Sequence, residues 1–303
     1  MAAWLWLAAS ALAPAAAFFA LLARLMPNID LHCHSNISDG LLSPADVAAR
    51  AHANGVQVWA LTDHDEVGGV AQARAAATAL GMRHIAGVEI SVTYANQTVH
   101  IVGLNIDEDN QALLDGLAAT RAGRERRARK IGEELAAVGI SGAYEGALRF
   151  AGNPDLVSRT HFARFLIQQG HCTDLQQVFT DYLVRGRPGW VPHQWAALDE
   201  AVGWICGAGG VAVVAHPGRY KYEPLAFSAL LDEFKDVGGT GIEVITGSHS
   251  PQQYEEYALV ARRYGLLASC GADFHGPGES RIDLGSLPPL PENLLPVWHD
   301  WNL

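Results

Sequence analysis

Seven short apolar runs punctuate the chain, at residues 28–32, 56–62, 84–90, 98–104, 210–215, 241–245 and 266–271. Most are Val, Ile, Leu and Ala without polar alternation, the pattern of parallel strands covered on both faces. Between them the spacing turns helical. Ser43-Pro44-Ala45-Asp46 supplies an N-cap with proline at the first helical position before an alanine-rich stretch to His52, and residues 67–80 form another helix with Gly81 just past its end. A long gap between the fourth and fifth runs reads as further helices over 111–138, 144–150, 160–169 and 175–184, and Gly186-Arg187-Pro188-Gly189 marks the return. Strand and helix in alternation predict an α/β barrel or a doubly wound sheet.

Composition narrows the class. The 303 residues are 49% hydrophobic and 17% charged, which excludes disorder, collagen and a disulfide scaffold and matches a globular enzyme with a large core. A formal charge of −11 argues against a partner made of duplex nucleic acid. Cys33, Cys172, Cys206 and Cys270 are scattered without zinc-binding spacing and read as reduced, buried thiols. Residues 1–25 are a separate apolar extension: Met1 to Ala23 carries no charge and eleven alanines. A signal peptide, a membrane anchor and a start of the natural chain at Met26 are the competing readings. The favoured expectation is the start at Met26, because the best chemistry begins almost at once in the first strand, giving a cytoplasmic enzyme with no membrane contact unless that extension is a real anchor.

The ends of the runs hold the chemistry. His32 and His34 close the first, His64 the second between Asp63 and Asp65, Glu89 the third, His216 the fifth and Asp273 with His275 the seventh; His100 lies within the fourth. Carboxyl ends of parallel strands meet at one face, where active sites are built. Six of the 13 histidines, with Glu89, Asp273 and Asp39, therefore converge on one pocket. His32 and His34 at i and i+2 point to the same side of an extended chain and can grip one cation. An isolated strand histidine such as His100 is more often a satisfied core residue, and Asp39-Gly40 is a common turn pair. Asp63 and Asp65 are open between ligands, partners that orient His64, and helix caps. Gathering so many imidazoles and carboxylates without cations would be costly through desolvation and like-charge repulsion.

His32-x-His34 with Ser38-Asp39-Gly40, then Thr62-Asp63-His64-Asp65, Gly87-Val88-Glu89, His100-Ile101-Val102-Gly103, Ala215-His216-Pro217-Gly218-Arg219 and Asp273-Phe274-His275 resemble the successive motifs of the PHP (polymerase and histidinol phosphatase) family. The resemblance implies a distorted (βα)7 TIM-like barrel, here residues 26–106 and 191–303, with residues 107–190 as a helical insertion over the active site. It also implies two or three divalent metals per chain, manganese first, with iron or zinc as the other choices. By motif, His32, His34, Glu89 and Asp273 hold the first metal, Glu89 bridges to a second held by His100 and His216, and Asp39, His64 and His275 hold the third. The phrase Ser158-Arg159-Thr160-His161-Phe162-Ala163-Arg164 and the long insertion look most like the branch of nucleoside 3′,5′-bisphosphate phosphatases and 5′-to-3′ exoribonucleases, whose substrates are nucleotides and short single-stranded RNA.

The donor mixture itself suits Mn2+, Fe2+ or Zn2+ better than Ca2+ or Mg2+. Two such cations sharing Glu89 and a water would generate hydroxide near neutral pH for in-line hydrolysis of a phosphoester. Glu89, Asp273 and His275 are then the catalytic core, and His161 is a candidate to protonate the leaving oxygen. Six basic residues fall between Arg121 and Lys130 on one predicted helix, from which Arg127 and Lys130 are candidates for substrate phosphate, beside Ser158, Arg159, His161 and Arg219. Trp190, Trp195 and Tyr220 are candidates for base stacking, although core packing is the commoner fate of such residues. The rival readings are a histidinol-phosphate phosphatase and a non-catalytic binding module.

Overall fold

A computed structural model of the chain describes residues 27–303. The readings of the apolar extension lie outside the described residues. Seven strands form one sheet in the order of the chain: β1 (Ile29–Asp30), β2 (Val58–Leu61), β3 (Arg83–Tyr94), β4 (Gln97–Leu104), β5 (Val211–Val214), β6 (Gly241–Thr246) and β7 (Leu267–Gly271). Leu31 N–H donates to the Cys270 carbonyl at 3.0 Å and Asp273 N–H to the His32 carbonyl at 2.8 Å, so β7 meets β1 and the sheet closes into a barrel. Gly271 permits that closure: a Cβ there would stand 2.3 Å from the His32 Cβ.

One strand departs from the expectation of parallel pairing. β4 runs antiparallel to both β3 and β5, while the other pairs are parallel. β3 and β4 are joined by Ala95 and Asn96 alone, at φ 44° and 60°. That is the geometry of a tight primed turn, and a parallel crossover needs a dozen residues or more. The distortion leaves His100 near the face where the other strands end, since it pairs with Ser91 two positions past Glu89.

Nine helices are described. α1 (Pro44–Ala53) is capped by Ser43, whose hydroxyl accepts Asp46 N–H, and α2 (Val70–Ala79) follows β2. Between β4 and β5 come α3 (Gln111–Ala137), α4 (Ala143–Leu148), α5 (Arg159–Gln168) and α6 (Leu175–Val178). The helix expected over 175–184 is instead short and passes into a π-helical turn at Phe179–Leu183. α7 (Leu198–Gly207), α8 (Pro224–Asp236) and α9 (Pro251–Tyr264) complete the barrel's outer layer.

α3 belongs to two cores. Leu113 and Leu117 near its start join the barrel core, whereas Ala128, Ile131 and Leu135 pack with Phe162, Leu166 and Leu183 in a second cluster. The long helix is thus a beam from the barrel wall into a helical layer above it. Three cysteines are buried as expected, but Cys206 is exposed on α7. No described helix is long and apolar enough to cross a membrane.

Candidate metal centre

The convergence read from the strand ends is realised. His32 Nε2, His34 Nε2, Glu89 Oε2 and Asp273 Oδ1 form one fully buried cluster. His34 Nε2 lies 3.3 Å from His32 Nε2, 3.1 Å from Asp273 Oδ1 and 3.2 Å from Glu89 Oε2, and His32 Nε2 lies 3.4 Å from Glu89 Oε2. Four donors at tetrahedral bond lengths of about 2.1 Å around one ion would stand about 3.4 Å apart, so the spacing fits a metal. A second grouping is His34, Asp39, His64 and His275, and a third is His64, Glu89 and His100. His216, expected beside His100, approaches through Glu89 Oε1 at 2.9 Å, and His100 Nδ1 stands 2.8 Å from the same oxygen. Glu89 therefore joins five of the histidines, His32, His34, His64, His100 and His216, while Asp39 and His275 join the set through His34 and His64.

Much of the cluster's polar capacity is unused: while Asp273 Oδ2 faces the Arg219 guanidinium, Asp39 Oδ1, Glu89 Oε2, His34 Nδ1, His64 Nδ1, His100 Nδ1 and His216 Nδ1 are buried without a hydrogen-bond partner among the described residues. Buried polar atoms normally find one, so several orphans around one point fit a site made for cations. Electrostatics carry the same sign. Burial opposes protonation of His32, but the carboxylates of Glu243, Glu89 and Asp273 outweigh it and hold the pKa well above the usual value. His34 is pushed up to about 10, burial being overcome by the hydrogen bonds and charges of Asp273 and Glu89. Burial would raise Glu89, and the imidazoles of His64, His100 and His32 hold it far below instead. Protons are standing where cations would.

Three further carboxylates surround the site: Glu243, which the strand ends did not reveal, and Asp63 and Asp65, whose roles the sequence left open. Glu243 of β6 takes the His32 Nδ1 proton in a 2.7 Å hydrogen bond and accepts His216 N–H at 2.6 Å, which leaves His32 Nε2 free to ligate. The β6–β7 register slips between Glu243 and Ile245, a bulge that re-aims the strand beside the site. A lone acid inside Gly241-Ile242-Glu243-Val244-Ile245 was the available signal. Asp65, at φ 51°, accepts Ser91 N–H and forms an ion pair with Arg124 of α3. Asp63 accepts from Ser35 and Ser38 hydroxyls and Ser35 N–H, so it shapes the loop after β1. Neither acid faces the donor cluster. His275 Nδ1 donates to the Asp273 carbonyl at 3.0 Å, which turns its Nε2 towards Asp39 Oδ1 at 3.3 Å.

Beside the donors lies a cavity lined by Asp39, His64 and His100 on one side and by Arg124, Arg127 and Arg159 on the other. Among the described residues the Arg127 side chain hydrogen-bonds only the Val191 carbonyl and that of Arg159 only the Leu183 carbonyl. Burial, with Arg159 and Arg124 adjacent, lowers Arg127 to about 9, and burial with Arg124 lowers Arg159. Such crowded guanidinium groups call for an anion. Arg219 joins Asp273 Oδ2 at 2.5 Å and lines the same cavity with Ser158.

Other sequence candidates fall elsewhere. Lys130 is 52% exposed and pairs with Glu133 and Glu134 along its own helix, because it lies on the opposite face of α3 from Arg124. His161 closes a capping box at the start of α5: its Nδ1 accepts Ser158 N–H at 3.0 Å, and burial lowers it to about 4. Outside the cavity lining, it serves here as a helix cap, and its Nε2 is buried without a partner among the described residues. Trp195 is covered by the guanidinium groups of Arg124 and Arg127 at 4.6 and 5.4 Å, Trp190 by Arg185 at 5.3 Å, and Tyr220 donates to the Ala215 carbonyl at 2.8 Å. Of the three, Trp195 alone lines the cavity beside the donors.

This architecture has relatives. The chain is 50% identical over 275 residues, 91% of its own length and 96% of the other, to a 3′,5′-nucleoside bisphosphate phosphatase of Chromobacterium violaceum. It is 40% identical over 275 residues, 90% and 93% of the two lengths, to the 5′-3′ exoribonuclease Rnm of Escherichia coli. A solved structure from Chromobacterium violaceum, described as an amidohydrolase with bound sulfate and no metal, superposes with a TM-score of 0.87 at 51% identity, covering 89% of this chain and 94% of that one. The model of the PHP domain family matches residues 30–264, and the chain belongs to that family.

Proposed function

We propose that this chain is a metal-dependent phosphoesterase that hydrolyses the 3′-phosphate of nucleoside 3′,5′-bisphosphates, for example 3′,5′-adenosine bisphosphate to AMP and phosphate, and that trims short single-stranded RNA from its 5′ end. The observation that carries the reading is the juxtaposition of nine orphaned or metal-spaced donors with an arginine-lined cavity. The names of the relatives support the substrate class. In this reading His32, His34, Glu89 and Asp273 hold one divalent metal, Glu89 with His100 and His216 a second, and Asp39, His64 and His275 a third, with Mn2+ the first choice. Bound metals supply a hydroxide near neutral pH and neutralise the phosphoryl charge.

The residues of the chain do the rest. Arg124, Arg127 and Arg159 hold the 5′-phosphate, so that the 3′-phosphate reaches the donor cluster, and Arg219 contacts the scissile phosphate. Ser158 and Thr160 hold Asp39 Oδ2 in place at 3.0 and 3.1 Å. In the same reading residues 26–106 and 191–303 are assigned to the barrel and 107–190 to the helical insertion, and a cytoplasmic location goes with a nucleotide substrate. Histidinol phosphate, whose alcohol part carries cationic groups, would meet three guanidinium groups at the cavity wall, which disfavours that rival.

The test combines metal analysis with phosphate release from 3′,5′-adenosine bisphosphate, 5′-AMP and histidinol phosphate. Release from the bisphosphate alone is expected, lost in Glu89→Gln; metal bound without release from any of the three would sink the reading. Glu243→Gln should weaken metal binding by roughly 10–100-fold, the usual effect of removing a partner that orients a ligating histidine.

A further inference from the structure

A second cavity of 550 Å3 adjoins the first and shares Arg219, His275, Thr160 and Phe179 with it. We propose that this second cavity is the binding site for the nucleotide on the 3′ side of the scissile phosphate in a 5′-phosphorylated RNA. The inference rests on the phosphoesterase reading and gives the second nucleotide of an RNA substrate a defined place beside the donor cluster. A bisphosphate ends at its 3′-phosphate and needs no space beyond the donor cluster. The second cavity continues past Asp273 on the side away from the three arginines, and its size falls within the roughly 300–1,000 Å3 that encloses a ligand of nucleotide dimensions.

Its lining has the chemistry of a nucleotide site. Ser248 Oγ is a buried hydroxyl with no hydrogen-bond partner among the described residues. The Arg281 guanidinium is tethered by Nη2 to the carbonyls of Gly247 and His249, at 3.0 and 2.9 Å, and no carboxylate of the described residues lies within ion-pair distance of it. It is thereby aimed, charged and available to a phosphodiester. Gln176 adds an amide on the opposite wall, and Phe179, at the start of the π-helical turn, stands between the two cavities where a base can stack.

The two cavities define a polarity. The first nucleotide sits with its 5′-phosphate among the arginines, and water attacks the phosphorus between it and the second nucleotide. The new oxygen–phosphorus bond forms as the bond from phosphorus to the 3′-oxygen of the first nucleotide breaks. That oxygen leaves with a proton as the 3′-hydroxyl of a 5′-mononucleotide, and the phosphate stays on the 5′-oxygen of the second. The remaining chain again carries a 5′-phosphate and is a substrate for the next round.

Gln176→Trp, which fills the second cavity from α6, and Arg281→Met change residues that line the second cavity and not the first. Kinetics with Mn2+ on 3′,5′-adenosine bisphosphate and on a 5′-phosphorylated RNA trinucleotide separate the possibilities. The expected result is a loss of tenfold or more in kcat/KM on the trinucleotide, with bisphosphate hydrolysis within twofold of wild type, which also reports correct folding. Variants that cut both substrates like wild type, or that lose both equally, would overturn the second-nucleotide site, as would a wild-type enzyme that hydrolyses the bisphosphate and leaves the trinucleotide intact. Wild-type protein inert on both substrates would instead overturn the phosphoesterase reading beneath it.

Discussion

His161 shows how a residue with catalytic chemistry can be claimed by the backbone. Its Nδ1 accepts Ser158 N–H, so the imidazole must be neutral for the cap to form, and burial lowers its pKa to about 4 against an ordinary 6.5. A depressed pKa contributes stability that is present above 6.5 and lost as pH falls through about 4. Glutamine at this capping position offers the same acceptor without the titration. In metal-free protein, His161→Gln should therefore lose less stability than wild type between pH 7.5 and 4.5, by about 2 kcal/mol in urea unfolding. Its kcat on the bisphosphate should stay within a few fold; a drop of about 10²–10⁴, the usual worth of a general acid, would restore a catalytic role to the histidine. The donor residues were legible because their types are unusual at strand ends. Glu243 and His161 were not, because each is decided by what another segment places beside it.

At the scale of elements, the β3–β4 hairpin and α3 decide the site's shape. The seven residues between the third and fourth apolar runs are too few for a helical crossover, so the antiparallel turn of β4 could have been read from the sequence. Ala95 sits at φ 44°, a left-handed conformation that costs an L-residue about 1–2 kcal/mol and glycine nothing, less the greater chain entropy glycine loses on folding. Ala95→Gly should raise stability by about 0.5–1 kcal/mol, seen as a higher urea midpoint. A lower midpoint would show that the alanine is held without strain. On α3, Arg121, Arg124 and Arg127 recur every third position and share one face, whereas Arg126, Arg129 and Lys130 share the other. Arg121 donates to the Asp65 carbonyl, Arg124 pairs with the Asp65 carboxylate and Arg127 lines the cavity, while Arg129 and Lys130 spend their charge on Glu125, Glu133 and Glu134. That periodicity distinguished the two faces; which face met the barrel was settled by the docking of Leu113 and Leu117.

Across the whole molecule, barrel closure concentrates buried charge at one rim. Glu89, Asp39 and Asp273 are held ionised by imidazoles and Arg219 against strong desolvation, a balance that divalent cations would improve. Mn2+ added at about 100 times its Kd to chelator-treated protein should stabilise the fold by about 2.7 kcal/mol per occupied site. Thermal unfolding with and without chelator checks this, and an unchanged Tm would argue that no metal binds the native state. The amino-acid sequence by itself determined the order of strands and helices, the donor set and its family, because these are written in short windows of residue type and spacing. Tertiary structure alone decided that Glu243 meets His32, that Arg124 meets Asp65, and that a second cavity opens beyond Asp273. Those pairings join positions far apart in the chain, and their distances follow from how the barrel closes and how α3 leans across its mouth.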